Sequence, residues 1–148
     1  MANPPQTPPA LPLEYGPPIS LAAAKLVMEA AEQEAARNRW PMVIVIVDST
    51  GHLVMLHRMD QAQYGSLQVA RLKAETAVNF RRPTRAVQDA VAAGGVGTRM
   101  LSVPDAIAIE GGVPLVSGGR IVGAIGVSGM QSGQDVQVAQ AGADAVTA

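Results

Sequence analysis

Apolar and small residues recur along the chain with two distinct periods, which separate helices from strands. Four segments carry them on one side of a helical wheel, and five are short apolar runs bounded by glycine, proline or polar turn residues. The predicted helices cover residues 21–39, 64–80, 84–93 and 131–146. The predicted strands cover residues 42–48, 52–60, 106–110, 113–116 and 120–128.

The order of these elements, α-β-β-α-α-β-β-β-α, predicts the fold class. The first two strands form a hairpin around the polar turn at residues 48–51, and the last three form a meander. We therefore expect an α/β (α+β) sandwich in which helices flank one five-stranded antiparallel sheet. The domain is predicted to cover residues 19–148, after a flexible, proline-rich N-terminal arm at residues 1–18.

The stretch GGRIVGAIGVSGM, residues 118–130, is unusually rich in glycine. It does not match a dinucleotide-binding loop, because Gly123, Gly126 and Gly129 are spaced by three within an apolar run. Strict alternation puts odd-numbered residues on one face of this strand and even-numbered ones, nearly bare of side chains, on the other. A bare face favours a tightly packed helix, with a flat ligand as the alternative.

Composition removes several classes of function. The 148 residues include no cysteine, which excludes thiolate catalysis, disulfides and cysteine-based metal sites. The net charge is −1, and basic residues cluster only at Arg81, Arg82 and Arg85, so no nucleic-acid partner is expected. No apolar run is long enough to span a membrane and no secretion signal is visible, so we expect a cytoplasmic protein without a membrane partner.

Candidate binding chemistry gathers around the second strand. His52 and His57, the two histidines, point to opposite faces and cannot hold one metal ion together, so no metal site is predicted. His57 alone could bind haem iron, although a lone histidine is more commonly a surface or core residue. Arg58 and Asp60, at the strand end, could orient a carboxylate or a haem propionate, with solvated salt bridges as the alternative.

Two further charged residues allow a structural and a functional interpretation. Lys73 lies among small residues on the second helix, where its amine either reaches over the sheet or, as we prefer, extends into water. Ser132 and Asp135 have the spacing of a capping box, which would explain Asp135 without catalysis. Ser128 lacks the Gly-x-Ser-x-Gly setting of a hydrolase nucleophile.

Five segments, in this order, resemble the GlcG/HbpS family, also called the haem-degrading domain family, which is related to the C-terminal domain of PduO-type corrinoid adenosyltransferases. The resemblance implies a profilin-like fold and homo-oligomers from dimers to octamers. It also implies haem binding in some members and places others in catabolic operons without a settled activity. The segments are SLAAAKLVMEAAEQEAARN, VDSTGHLVMLHRMD, ARLKAETAVNF, GGVPLVSGGRIVGAIGVSGM and QDVQVAQAGADAV.

The resemblance also marks individual positions. Met130 departs from it, because the family usually continues Ser-Gly-Gly where this chain has Ser128-Gly129-Met130, and the methionine is expected at a pocket rim. The residues that match the family's characteristic types are Arg58, Asp60, Lys73, Gly111, Gly112, Pro114, Gly123, Gly126, Ser128, Gly129 and Asp135.

Three hypotheses about function follow. In the first, the chain binds haem or a related planar, carboxylated ligand over the bare strand face. His57, Arg58, Gly111, Gly112, Ser128, Gly129 and Met130 are its predicted binding residues. In the second, it is a metal-independent lyase, isomerase or hydrolase of a small carboxylated or aromatic catabolite, with Lys73, Asp60 and Asp135 as catalytic residues. In the third, it is a structural accessory subunit.

Overall fold

The computed structural model describes residues 12–146, which contain four α-helices, a 3-10 helix and one four-stranded antiparallel sheet. The mixed α/β fold is confirmed, whereas the expectation of five strands is wrong. The strand order is β2-β1-β4-β3. In chain order the elements are α1 (Leu21–Arg37), β1 (Val43–Asp48), β2 (Leu53–Arg58), α2 (Ser66–Phe80), α3 (Thr84–Ala92), the 3-10 helix (Gly95–Ser102), β3 (Gly112–Ser117), β4 (Arg120–Ser128) and α4 (Ser132–Ala143).

The fifth predicted strand, residues 106–110, is an irregular segment. Its backbone groups bond to side chains on the neighbouring helices instead of to a strand. The amide of Ile107 donates to Thr76 Oγ1 at 3.1 Å, and the amide of Glu110 donates to Gln88 Oε1 at 2.9 Å. Apolar alternation alone does not reveal which partner satisfies the backbone, and here α2 and α3 supply it.

Helices cover both faces of the sheet. On the first face, α1 and α4 pack against one set of buried side chains, and on the second face α2 packs against another. The first set includes Ile44, Ile46, Val122, Ile125 and Val127. The second includes Val43, Val45, Val47, Ile121 and Ala124. Because many core side chains are small, the layers approach each other closely.

A β-bulge in β4 breaks the predicted alternation. Leu115 pairs with Gly123 but the next residue, Val116, pairs with Ile121, so Val122 is the extra residue. Consequently Ile121 lies on the second face and Val122 on the first, opposite to the prediction. From residue 123 onwards the predicted faces are correct.

Gly126 lies on the second face, directly beneath α2. A Cβ atom there would stand 2.0 Å from the carbonyl oxygen of Ala70 and 2.5 Å from the amide nitrogen of Ala74. The missing side chain therefore lets the helix backbone touch the strand. The packed-helix interpretation of the glycine-rich strand is confirmed, and the expectation of a ligand over this face is wrong because α2 fills the space.

Part of the predicted N-terminal arm contacts the sheet. Tyr15 forms a parallel bridge with Ile121 of β4. This bridge lies beyond Gly123, the residue of β4 at which pairing with β1 ends. The amide of Gly16 donates to Ile121 O at 2.8 Å, and Tyr15 Oη donates to Val78 O at 2.7 Å. This part of the predicted arm is anchored to the sheet, and residues 1–11 of it lie outside the described residues.

No helix within residues 12–146 has the length and apolarity that a membrane crossing requires.

Candidate functional site

Most of the predicted site residues lie at one end of the sheet. Arg58 on β2 and Ser128 on β4 both pair with Val43 of β1, so the three form one row across the strands. Gly111 adjoins the same end, since its carbonyl accepts from the amide of Val127 at 2.9 Å. With about 4.8 Å between neighbouring strands, the backbones of Arg58 and Ser128 are roughly 10 Å apart.

An open cleft of about 670 Å³ lies at the end of β2 and is lined by residues 58–64. The guanidinium of Arg58 stands over the ring of Tyr64, 5.8 Å from its centroid, and that ring is 81% exposed. No carboxylate among residues 12–146 forms an ion pair with Arg58. The cation is thus oriented by an aromatic ring and available to an acidic group of a ligand.

A second cavity, of about 400 Å³, lies between α1 and the end of β2, and its walls are Glu32, Ala36 and residues 58–60. His57 is not one of these wall residues, but its Nδ1 bonds to Oε1 of Glu32, which is. A carboxylate oxygen only accepts, so Nδ1 is the donor and Nε2 is left for another partner. The imidazole is 45% exposed, and such a carboxylate-supported histidine is a common arrangement for a metal-ligating side chain.

The two cavities meet at the strand end. Met59 and Asp60 line both of them, and both also line a third depression of about 290 Å³ beside Trp40 and Pro41. Asp60 is exposed, whereas Met59 is partly buried and its amide donates to Met42 O at 3.0 Å. The surface around residues 57–64 therefore combines a cation, an acid, an imidazole and apolar contacts.

Sequence reasoning missed Glu32 and Tyr64 as members of this surface. One feature of the sequence could have indicated Tyr64, because this residue lies between the end of a strand and the start of a helix. Glu32 is 25 residues away from His57 and had none, because the contact depends on how α1 packs beside β2.

Lys73 is buried rather than extended into water as preferred from the sequence. Its side chain is 1% exposed, and its Nζ donates to Asp135 Oδ2 at 2.8 Å and to Val127 O at 2.9 Å. The small residues around it on α2 bring the helix so close to the sheet that the amine is enclosed. Lys73 thus ties α2 to α4 across the end of β4.

Asp135 does not cap α4 in the predicted way. Gln131 and Gln134 form the capping box, and Asp135 uses its carboxylate for Lys73 and for the amide of Met130, which donates to Oδ1 at 3.0 Å. Burial raises the pKa of Asp135, and the ion pair with Lys73 acts in the opposite direction. Because both side chains are enclosed, a substrate reaches neither without movement of a helix.

The glycines before β3 serve this packing. Gly111 has φ +130°, and a Cβ there would stand 2.7 Å from Lys73 Nζ. A Cβ at Gly112 would stand 2.2 Å from the carbonyl oxygen of Lys73, while the Gly112 amide donates to Thr84 Oγ1 at 2.9 Å. These two predicted ligand-binding residues therefore face α2 and α3.

The remaining predicted binding residues follow β4. Ser128 is buried and its hydroxyl bonds to Ser66 Oγ at 3.0 Å, and Gly129 lies against the carbonyl of Pro41. Met130, by contrast, is 41% exposed, so it is the member of this group that faces solvent. Within residues 12–146, no group of three or more acidic or histidine side chains is placed to hold a metal ion.

Known proteins resemble this chain over most of its length. Protein GlcG of Escherichia coli is 38% identical over 110 residues, which cover 74% of this chain and 81% of GlcG. The crystal structure of the Klebsiella pneumoniae protein ORFY has a TM-score of 0.84 and 29% identity, covering 90% of this chain and 93% of that one. A crystal structure of a PduOC:heme complex has a TM-score of 0.79 and 28% identity, covering 87% and 95%.

The family model described as haem-degrading protein HbpS-like matches residues 19–144. This match includes every residue of the site described above. The resemblance noted from the sequence segments is confirmed, and the chain belongs to the HbpS-like family.

Proposed function

We propose that this chain binds a small planar ligand with carboxylate groups, and that haem is this ligand. The proposal rests chiefly on His57, whose Nδ1 is occupied by Glu32 of the cavity wall and whose Nε2 has no hydrogen-bond partner among the described residues. The family description and the PduOC:heme complex support haem over other planar ligands. The proposed position is the end of β2, not the strand face that α2 covers.

The chemistry of the residues at this strand end suits haem. Haem iron needs at least one protein side chain as a ligand, which His57 would supply, and Arg58 would hold a propionate through a charge-assisted hydrogen bond. Ala36 and Met59 offer apolar contact. Cavities of about 400 and 670 Å³ that share residues 58–60 lie in the usual range of ligand sites. Bound haem would supply a redox-active iron centre to this surface.

The enzymatic alternative gains little from the geometry. Lys73 and Asp135 are paired with each other and enclosed, which suits a structural role better than proton transfer to a substrate. Asp60 is exposed at the cleft, so of the three predicted catalytic residues it is the one that a substrate could meet.

Assembly into a homo-oligomer stays a prediction, and sedimentation of the native protein, which gives its mass in solution, tests it.

Haem titration followed by absorbance tests the proposal. We expect a Soret shift at micromolar haem for the wild type, and an altered Soret position with at least tenfold weaker binding for His57→Ala. Arg58→Gln should weaken binding by about ten- to a hundredfold, the usual size for a lost hydrogen bond to a charged group. The chain's other histidine offers a matched control, because His52 is exposed and lies just before β2, at the opposite end of the strand from Arg58.

His52→Ala should therefore bind haem as the wild type does. Absence of a Soret shift in the wild type at micromolar haem would refute haem binding. Equal effects of His52→Ala and His57→Ala would refute the assignment of His57 as the residue that holds the haem iron.

A further inference from the structure

A separate cavity, of about 210 Å³, lies between the end of α2, α3 and the 3-10 helix. Its walls are Phe80, Arg82, Ala86, Val87, Ala90 and Met100. It is remote from the end of β2, because α2 begins at Ser66 beside Ser128 and its 15 residues extend over about 20 Å. The cavity therefore belongs to a different part of the surface.

The three clustered arginines near this cavity have different partners. Arg81 stacks on the ring of Tyr15, 5.6 Å from its centroid. Arg85 pairs with Asp89 at 3.0 Å and with Glu110 at 3.2 Å. Two of the three cations are thus engaged by groups within the chain.

Arg82, the third, is held in place but has no acidic partner among residues 12–146. Its Nε donates to the carbonyl of Phe80 at 2.9 Å, and no carboxylate among the described residues forms an ion pair with it. The bond through Nε restrains the guanidinium and leaves the terminal NH₂ groups for another acceptor. A restrained planar guanidinium suits a carboxylate, which can accept two parallel hydrogen bonds.

The rest of the lining is apolar. Phe80, the one phenylalanine of the chain, and Met100 provide a ring and a polarizable sulfur, and Val87 is buried. Besides Arg82 the lining contains no polar side chain. A ligand here needs a single anionic group and an apolar body, which excludes nucleotides and sugars.

We propose that this cavity binds small monocarboxylic acids with an apolar body, such as a single aromatic ring or a short alkyl chain. The carboxylate would pair with Arg82 while the body packs between Phe80, Val87 and Met100. The volume of about 210 Å³ equals roughly seven water molecules in the liquid, which suits one ring but not a porphyrin. The proposed site is thus independent of the proposed haem site.

Titration of the full chain with benzoate, followed by amide chemical shifts, tests the site. We expect the amide signals of residues 80–90 and of residues around 100 to shift. The dissociation constant of benzoate should be about 1 mM, as is usual for so small a ligand. Arg82→Gln should weaken benzoate binding at least tenfold. Arg71→Gln is the matched control, because Arg71 is an exposed arginine on α2 outside the cavity, and it should bind benzoate as the wild type does.

Two further comparisons separate the contributions of charge and space. Benzyl alcohol, which has the ring without the charge, should bind the wild type at least fivefold more weakly than benzoate and should be insensitive to Arg82→Gln. Ala86→Leu, at an exposed wall position, should fill the cavity and abolish binding while the protein stays folded. The proposal is overturned if benzoate moves no lining residue, if Arg71→Gln and Arg82→Gln weaken it equally, or if benzyl alcohol binds as well as benzoate.

Discussion

Replacing Lys73 by methionine would remove the ammonium group that balances the buried carboxylate of Asp135. Methionine has a similar length and no charge, so the change deletes the ion pair while largely filling the space. Asp135 would then be a carboxylate 3% exposed, with the amide of Met130 as a remaining donor. The variant therefore measures what the pair contributes to folding.

The size of the effect follows from the contacts. Lys73 makes two hydrogen bonds, to Asp135 Oδ2 at 2.8 Å and to Val127 O at 2.9 Å. A hydrogen bond to a charged group contributes about 1.5–3 kcal/mol, so Lys73→Met should lower the free energy of unfolding by about 3–6 kcal/mol. This is close to the roughly 3–5 kcal/mol typical of a buried ion pair that loses one partner. Lys73→Met combined with Asp135→Leu removes both charges, so the double variant should lose only about 1 kcal/mol.

Urea unfolding monitored by circular dichroism gives the free energies. Burial raises the pKa of Asp135, and without Lys73 the opposing effect disappears, so the carboxyl of the single variant is more easily protonated in the folded state. Its stability deficit should therefore be smaller at about pH 5 than at about pH 8. The reasoning fails if Lys73→Met loses less than about 1 kcal/mol, or if the double variant is as unstable as the sum of the single ones.

Two other predictions concern packing. Gly126→Ala should destabilise the protein by several kcal/mol in the same urea assay, because the added Cβ would overlap the carbonyl of Ala70. Gly133→Ala on α4 is the control: its Cβ would have no neighbour closer than 4.0 Å, so the change should add about 0.5–1 kcal/mol of stability. If both changes had equal effects, close approach of α2 would not explain the glycine. Tyr15→Phe removes the hydrogen bond to Val78 O and should lower stability by about 1 kcal/mol, and an unchanged unfolding midpoint would show that residues 14–16 contribute little.

Local patterns identified most elements correctly. Helix α1 was predicted at residues 21–39 and is found at Leu21–Arg37, with Ser20 as its cap, because periodicity and capping act within a few residues. The segment at residues 106–110 has a similar apolar pattern but bonds to side chains on α2 and α3. An apolar pattern indicates which side chains become buried, but it does not indicate which groups form hydrogen bonds with the backbone.

The candidate site shows the same division. The proximity of His57, Arg58 and Asp60 could be predicted from the sequence because they are neighbours at one strand end. The partners of Lys73 could not, since Asp135 is 62 residues away and the two meet only when α2 and α4 pack on the same end of β4. The bulge at Val122 likewise depends on pairing with β3 and changes the faces of Ile121 and Val122.

The sequence by itself determined the helices, four of the strands, the tight approach at Gly126 and the family. Each of these depends on residue types at short spacing, where propensity and steric limits act directly. Only the tertiary structure decided that Lys73 is buried, that Glu32 supports His57 and that Arg82 has no acidic partner within the described part of the chain. Those outcomes depend on long-range packing, which sets the distance between charged groups and the access of water to them.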